Sequence, residues 1–140
     1  MFATPSDGVI KDLLQRSETV AVVGLSPKPE RDSYRVAAYL KTQGYKIVPV
    51  YPRGETILGE KVYQRLGDIP FPVDIVNVFR RSEEVFPVVE EALALRPQAV
   101  WLQRGIVCME AAPLLAQAGV LLVMDRCIMV EHQRLCGDRR

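Results

Sequence analysis

Five short runs of the chain are apolar almost without a break: "TVAVVG" (19–24), "YKIVPV" (45–50), "VDIVNVF" (73–79), "QAVWLQ" (98–103) and "GVLLVM" (119–124). A strand with one wet face alternates apolar and polar residues, whereas an unbroken apolar run belongs to a strand covered on both faces, as in a parallel sheet. The segments between these runs have helical spacing instead. "SYRVAAYLKTQG" places Val36, Tyr39 and Leu40 on one face, with Ser33 as its cap and Gly44 as its stop. "SEEVFPVVEEALAL" is capped by Ser82, and "CMEAAPLLAQAG" stops at Gly119. A leading helix over 5–17 opens at Ser6 or Asp7 and packs Val9, Ile10, Leu13 and Leu14. The stretch "ETILGEKVYQRLGDIPFP" is too rich in Gly and Pro for a regular helix and predicts a small strand or hairpin around Ile57 to Tyr63, followed by a short turn. Strand and helix alternate, and right-handed crossovers then give a three-layer, Rossmann-like α/β fold: a doubly wound parallel sheet of about five strands.

Composition narrows the class without naming it. At 140 residues, 49% hydrophobic, the chain predicts a single domain over 1–140. Net charge is +1, so recruitment of nucleic acid or an anionic membrane would need a local cluster of charge. The opening "MFATPSDGVIKD" lacks a basic region followed by an apolar core, and no run nears the roughly 18 apolar residues of a membrane span. The expected setting is the cytoplasm. Cys108, Cys127 and Cys136 have no CxxC spacing and read as reduced thiols; with one histidine, His132, a zinc site or a Ser-His-Asp triad is poorly supplied.

In a doubly wound sheet the ligand crevice lies beyond the carboxyl ends of the strands, where the strand order reverses. Each strand here is followed by at least one cation: Lys28 and Arg31, Arg53, Arg80 and Arg81, Arg104, and Arg126. Glu30, Asp32, Glu55, Glu83, Glu84 and Asp125 share those loops, as they would in any exposed turn. The first loop, "GLSPKPERDS", departs from the GxGxxG dinucleotide fingerprint, with Ser26 and Pro29 where the second and third glycines would stand. Lys28, Arg31, Arg35 and the helix start at Ser33 still make a competent phosphate cradle. The second strand ends in "VYPRG", not in the acidic residue that binds the ribose of NAD. Tyr51 and Pro52 suit an adenine and Arg53 suits a phosphate on its ribose. NADP and other phosphorylated adenosine ligands both remain open on these residues alone.

Taken in order, "VVGLSPKPERDSYRVAAYL", "GYKIVPVYPRGETILGEKVY", "PVDIVNVFRRSEEV", "AVWLQRGI" and "LVMDRC" resemble the CoA-binding domain family, similar to the N-terminal domain of the succinyl-CoA synthetase α subunit. The likeness spans about residues 15 to 131. It implies coenzyme A as the ligand. It also implies that Gly24, Leu25, Ser26, Pro27 and Lys28, with Ser33 and Arg35, wrap the CoA phosphates. Tyr51, Pro52 and Arg53 would lie by the adenosine phosphate. Val78, Phe79, Arg80 and Arg81, then Gln103 and Gly105, would line the nucleotide and pantetheine path. Cys127 falls where synthetase-like proteins carry an Asn-Cys pair, but Arg126 precedes it here. The synthetase works through a phosphohistidine in a second domain; His132 carries no such role, and the expectation is a free-standing binding module for CoA or acyl-CoA, alone, as a homo-oligomer or serving a partner enzyme. Two alternatives stand beside it: an enzyme using Cys127 on acyl-CoA or a CoA disulfide, and an NADP-binding module.

Overall fold

The computed structural model describes residues 2–137; the outermost ends of the domain expected over 1–140 lie outside the described residues. The elements run α1 (Asp7–Arg16), β1 (Thr19–Val23), α2 (Asp32–Thr42), β2 (Lys46–Val50), β3 (Thr56–Ile57), β4 (Glu60–Lys61), β5 (Ile75–Val78), α3 (Val85–Leu95), β6 (Ala99–Leu102), α4 (Ala111–Gln117), β7 (Leu121–Val123) and α5 (Ile128–Cys136). Five strands form one parallel sheet in the order β2-β1-β5-β6-β7. The result is the Rossmann-like α/β architecture that the apolar runs predict.

Strand periodicity builds the three layers. Ala21, Val23, Val76, Val78, Val100, Leu102 and Leu122 face one side, where Val85, Val89 and Ala92 of α3 and Ala111 and Leu115 of α4 cover them. The alternate residues Val20, Val22, Ile75, Ala99, Trp101 and Val123 face α1, α2 and α5, through Ile10, Leu13, Val36, Leu40 and Ile128. Because both faces are covered, each run reads as continuously apolar in sequence.

The predicted hairpin is present: β3 and β4 pair antiparallel across Leu58 and Gly59, both at positive φ (55° and 76°) as a tight two-residue hairpin turn requires. A 3-10 turn over Leu66–Asp68 follows it. Ser6 caps α1 as expected, its Oγ accepting from Val9 N at 3.3 Å. Three expectations are corrected. Val9 is 42% exposed, because it lies off the stripe made by Ile10, Leu13 and Leu14. Ser33 does not cap α2: Arg31 holds that position without a side-chain bond, and Ser33 is the second residue of the helix. Ser82 begins a separate 3-10 turn ahead of α3 and accepts a hydrogen bond from Val107 N at 3.0 Å across the β6 loop. The segment after Cys127, for which the sequence analysis names no element, forms α5, which buries His132 with its ring nitrogen 2.7 Å from the Tyr39 hydroxyl.

At the amino edge of the sheet one carboxylate ties three strands together. Asp74 Oδ2 accepts from Glu18 N (2.8 Å) and Thr19 N (2.9 Å), while Oδ1 accepts from Gln98 Nε2 (3.0 Å). Burial disfavours the Asp74 charge, but these donors outweigh it and hold the carboxyl below its ordinary range. The folded value therefore lies below the unfolded one, so the stabilisation is full above the ordinary carboxylate pKa of about 4 and fades as pH falls through the folded value. Asp74→Ala strands two amides and is expected to cost about 1–3 kcal/mol at neutral pH. Urea melts of both proteins should show that gap narrowing below about pH 4; a gap independent of pH would separate the effect from the charge.

Candidate functional site

From β1 the chain crosses to β2 on one side, then returns to place β5 on the other, so the strand order reverses between β1 and β5. That switch point opens a crevice at the carboxyl edge. Gly24 leaves β1 there at φ +86°, its N–H donating to Val50 O at 2.9 Å. A Cβ on Gly24 would collide with the Phe79 carbonyl oxygen and lie 3.2 Å from its carbon and 3.4 Å from Arg80 Nη1. Glycine is required because two backbones meet at this point. Arg80 consequently overhangs the start of the first loop.

The loop is held by its own serines. Ser33 Oγ, on the first turn of α2, accepts from Ser26 N at 3.0 Å, and Ser26 Oγ accepts from Lys28 N at 3.1 Å. These bonds fold "LSPK" back over the helix start, which is what Ser33 does in place of capping. Arg35 is likewise engaged locally, donating to the Glu30 carbonyl at 2.9 Å and pairing with Asp32.

Three hollows have Phe79 in their lining. A groove of about 430 Å³ is lined by Gly24, Ser26, Lys28, Arg31, Ser33, Tyr51 and Arg80, among others. A chamber of about 290 Å³ lies between α2 and α5, lined by Arg35, Val36, Gln103, Arg104, Ile106, Cys127 and Met129. A shallower hollow is formed by Arg80, Arg81, Ser82, Gly105 and Ile106. Of the residues singled out in the sequence, Gly24, Ser26, Lys28, Ser33, Tyr51, Phe79 and Arg80 converge on the first hollow, Arg35, Gln103 and Cys127 on the second, and Arg81 and Gly105 on the third. Leu25 and Val78 are fully buried in the two cores, and Pro27, Pro52 and Arg53 are exposed outside the linings. Sequence reading did not include Asp32, Ile106 or Met129 among the site residues, because only the packing of α5 against α2 brings Met129 to the crevice.

Several cations elsewhere are paired: Arg65 with Glu91 (2.7 Å), Arg126 with Glu131 (2.9 Å), and Arg134 with Asp7 (2.8 Å). Among the described residues, Lys28, Arg31, Arg80 and Arg104 have no carboxylate within 4.0 Å. All four line the crevice. The first turn of α2 adds the amides that any helix start leaves without internal acceptors. Such a groove attracts a polyanion. Past Phe79 the walls become apolar, with Val36, Ile106 and Met129 around the half-buried Cys127.

Comparison with known proteins gives a consistent picture. Residues 18–133 match the profile of a family described as a CoA binding domain. The chain is 45% identical over 128 residues to the uncharacterized protein YneT of Bacillus subtilis, a match covering 91% of this chain and 95% of that one. A Thermus thermophilus protein of solved structure, cell-free ID.343, is 42% identical and superposes with a TM-score of 0.89, covering 94% of this chain and 99% of its own. A shorter match, 38% identical over 60 residues, is to the alpha subunit of an ADP-forming acetate–CoA ligase of Pyrococcus furiosus; it covers 42% of this chain and 13% of that subunit. Among the described residues no helix is long and apolar enough to cross a membrane.

Proposed function

The chain belongs to the CoA-binding domain family, and on that premise we propose that it is a free-standing, cytoplasmic binding protein for coenzyme A or an acyl-CoA, holding the ligand for a partner enzyme without transforming it. The observation that carries this reading is the set of unpaired cations, Lys28, Arg31 and Arg80, around a groove whose floor admits no Cβ at Gly24. A diphosphate satisfies those cations where a neutral ligand would leave them repelling one another. Tyr51, at the mouth of the same groove, offers an aromatic face to the adenine, and the pantetheine arm has a path past Phe79 into the apolar chamber. Arg53, exposed on the adjoining loop, is the reading's candidate for the phosphate on the ribose. The match to one part of an acetate–CoA ligase subunit supports service to a partner, since there a related segment is built into a larger enzyme.

Calorimetry with CoA, dephospho-CoA and NADP tests the proposal. Heat with CoA and none with NADP is the expected pattern; silence with every CoA species would sink it. Arg80→Gln should weaken CoA by about tenfold, the usual scale for losing one hydrogen bond to a charged group. The affinity left should also depend less steeply on salt. A second reading, thiol chemistry on an acyl-CoA or a CoA disulfide, is favoured by the place of Cys127 in the chamber. Turnover that Cys127→Ala removes would establish it.

A further inference from the structure

The chamber beside Cys127 contains a polar group whose direction is set by its neighbours. Gln103, just past β6, is 5% exposed, and its Oε1 accepts from Asn77 Nδ2 at 2.9 Å and from Ile128 N at 3.0 Å. The Ile128 amide can only donate, so the inward atom of Gln103 has to be its oxygen. Asn77 Nδ2 also reaches the Trp101 carbonyl at 3.3 Å, which can only accept, so the amide of Asn77 is fixed the same way. Two backbone groups thus determine both side-chain amides. The Nε2 of Gln103 is left without a hydrogen bond among the described residues, and it is not one of the sealed, unpartnered polar atoms. It opens on the chamber that Val36, Phe79, Ile106 and Met129 wall and Cys127 shares.

We infer that this chamber takes the acyl group of an acyl-CoA, with Gln103 Nε2 donating to the thioester carbonyl. A free thiol is a weak acceptor and leaves a buried donor unsatisfied, which carries a free-energy cost; a thioester carbonyl supplies the acceptor and the apolar walls cover a short acyl chain. The inference rests on the CoA reading and adds the class of ligand to it.

Its test compares three ligands on the unmodified protein by calorimetry: CoA, butyryl-CoA and S-butyl-CoA, the thioether that keeps the chain and lacks the carbonyl. Butyryl-CoA is expected to bind about threefold to tenfold more tightly than S-butyl-CoA, the usual yield of one hydrogen bond. Gln103→Glu, which keeps an inward oxygen and turns the outward donor into an acceptor, should remove that preference, leaving butyryl-CoA and S-butyl-CoA within about twofold of each other. Equal affinities for butyryl-CoA and S-butyl-CoA would overturn the inference alone. So would a Gln103→Glu variant that still prefers butyryl-CoA over S-butyl-CoA, since the donor to the carbonyl would then lie elsewhere. Failure of CoA itself to bind would remove the underlying reading and this inference with it.

Discussion

Gly24→Ala is expected to reduce CoA affinity by more than tenfold and to lower stability by about 1–3 kcal/mol, the cost of holding a non-glycine residue in left-handed backbone. The two losses share one cause. At φ +86° an added Cβ meets the Phe79 carbonyl, so β1 and β5 must part at their carboxyl ends. Parting them moves Arg80 away from the first loop and widens the groove where the phosphates are proposed to lie. Calorimetry and urea melts on the same preparation read both effects. Unchanged CoA affinity in a folded Gly24→Ala protein would remove the β1–β5 crossover from the binding role.

The largest loss of stability should follow Trp101→Ala, at about 3–5 kcal/mol. Trp101 is fully buried in the sheet face under α1, α2 and α5, where truncation leaves a cavity between two packed layers. Against a typical total of about 5–15 kcal/mol, such a loss leaves little reserve. The indole also acts through its nitrogen, since Nε1 donates to the Arg126 carbonyl at 2.8 Å and so fixes the turn that presents Cys127. Trp101→Phe keeps most of the bulk and loses that donor. It should cost less in a urea melt, about 1–3 kcal/mol, while changing the rate at which Cys127 reacts with a thiol reagent; an unchanged rate would show that the turn holds without the indole.

Much of the fold is legible because both sheet faces are covered, which turns each strand into a conspicuous apolar run. β1, β2, β5, β6 and β7 all fall inside the five runs, trimmed by one or two residues at an end. The hairpin is legible from Gly59 in a stretch too rich in Gly and Pro for a regular helix. Ser33 misleads because a serine ahead of a helical pattern looks the same whether it caps the helix or turns back to a distant amide; choosing between these requires the position of Ser26. Asp74 is illegible for a similar reason, and so are the partners of Gln103, a residue that the family resemblance does name. Each acts through partners 24 to 56 residues away, and no local spacing announces such partners. The site is legible as a list of strand ends. Its division into a charged groove and an apolar chamber is not, since that depends on where Phe79 stands and on α5, a helix the sequence analysis does not name.

The two edges of the sheet differ in how completely their charges are answered. At the amino edge Asp74 has donors for both oxygens; at the carboxyl edge Lys28, Arg31, Arg80 and Arg104 line the crevice with no carboxylate within 4.0 Å among the described residues, the one acidic side chain lining the groove and the chamber, Asp32, being paired with Arg35. Mutual repulsion there opposes folding of the ligand-free chain, and any bound polyanion relieves it. Folding and occupancy are therefore linked equilibria: a filled groove adds RT ln(1 + [L]/Kd) to the free energy of unfolding. The melting temperature of this protein becomes a measure of how much ligand surrounds it, and turnover of the empty chain in a cell would follow the supply of the molecule it holds.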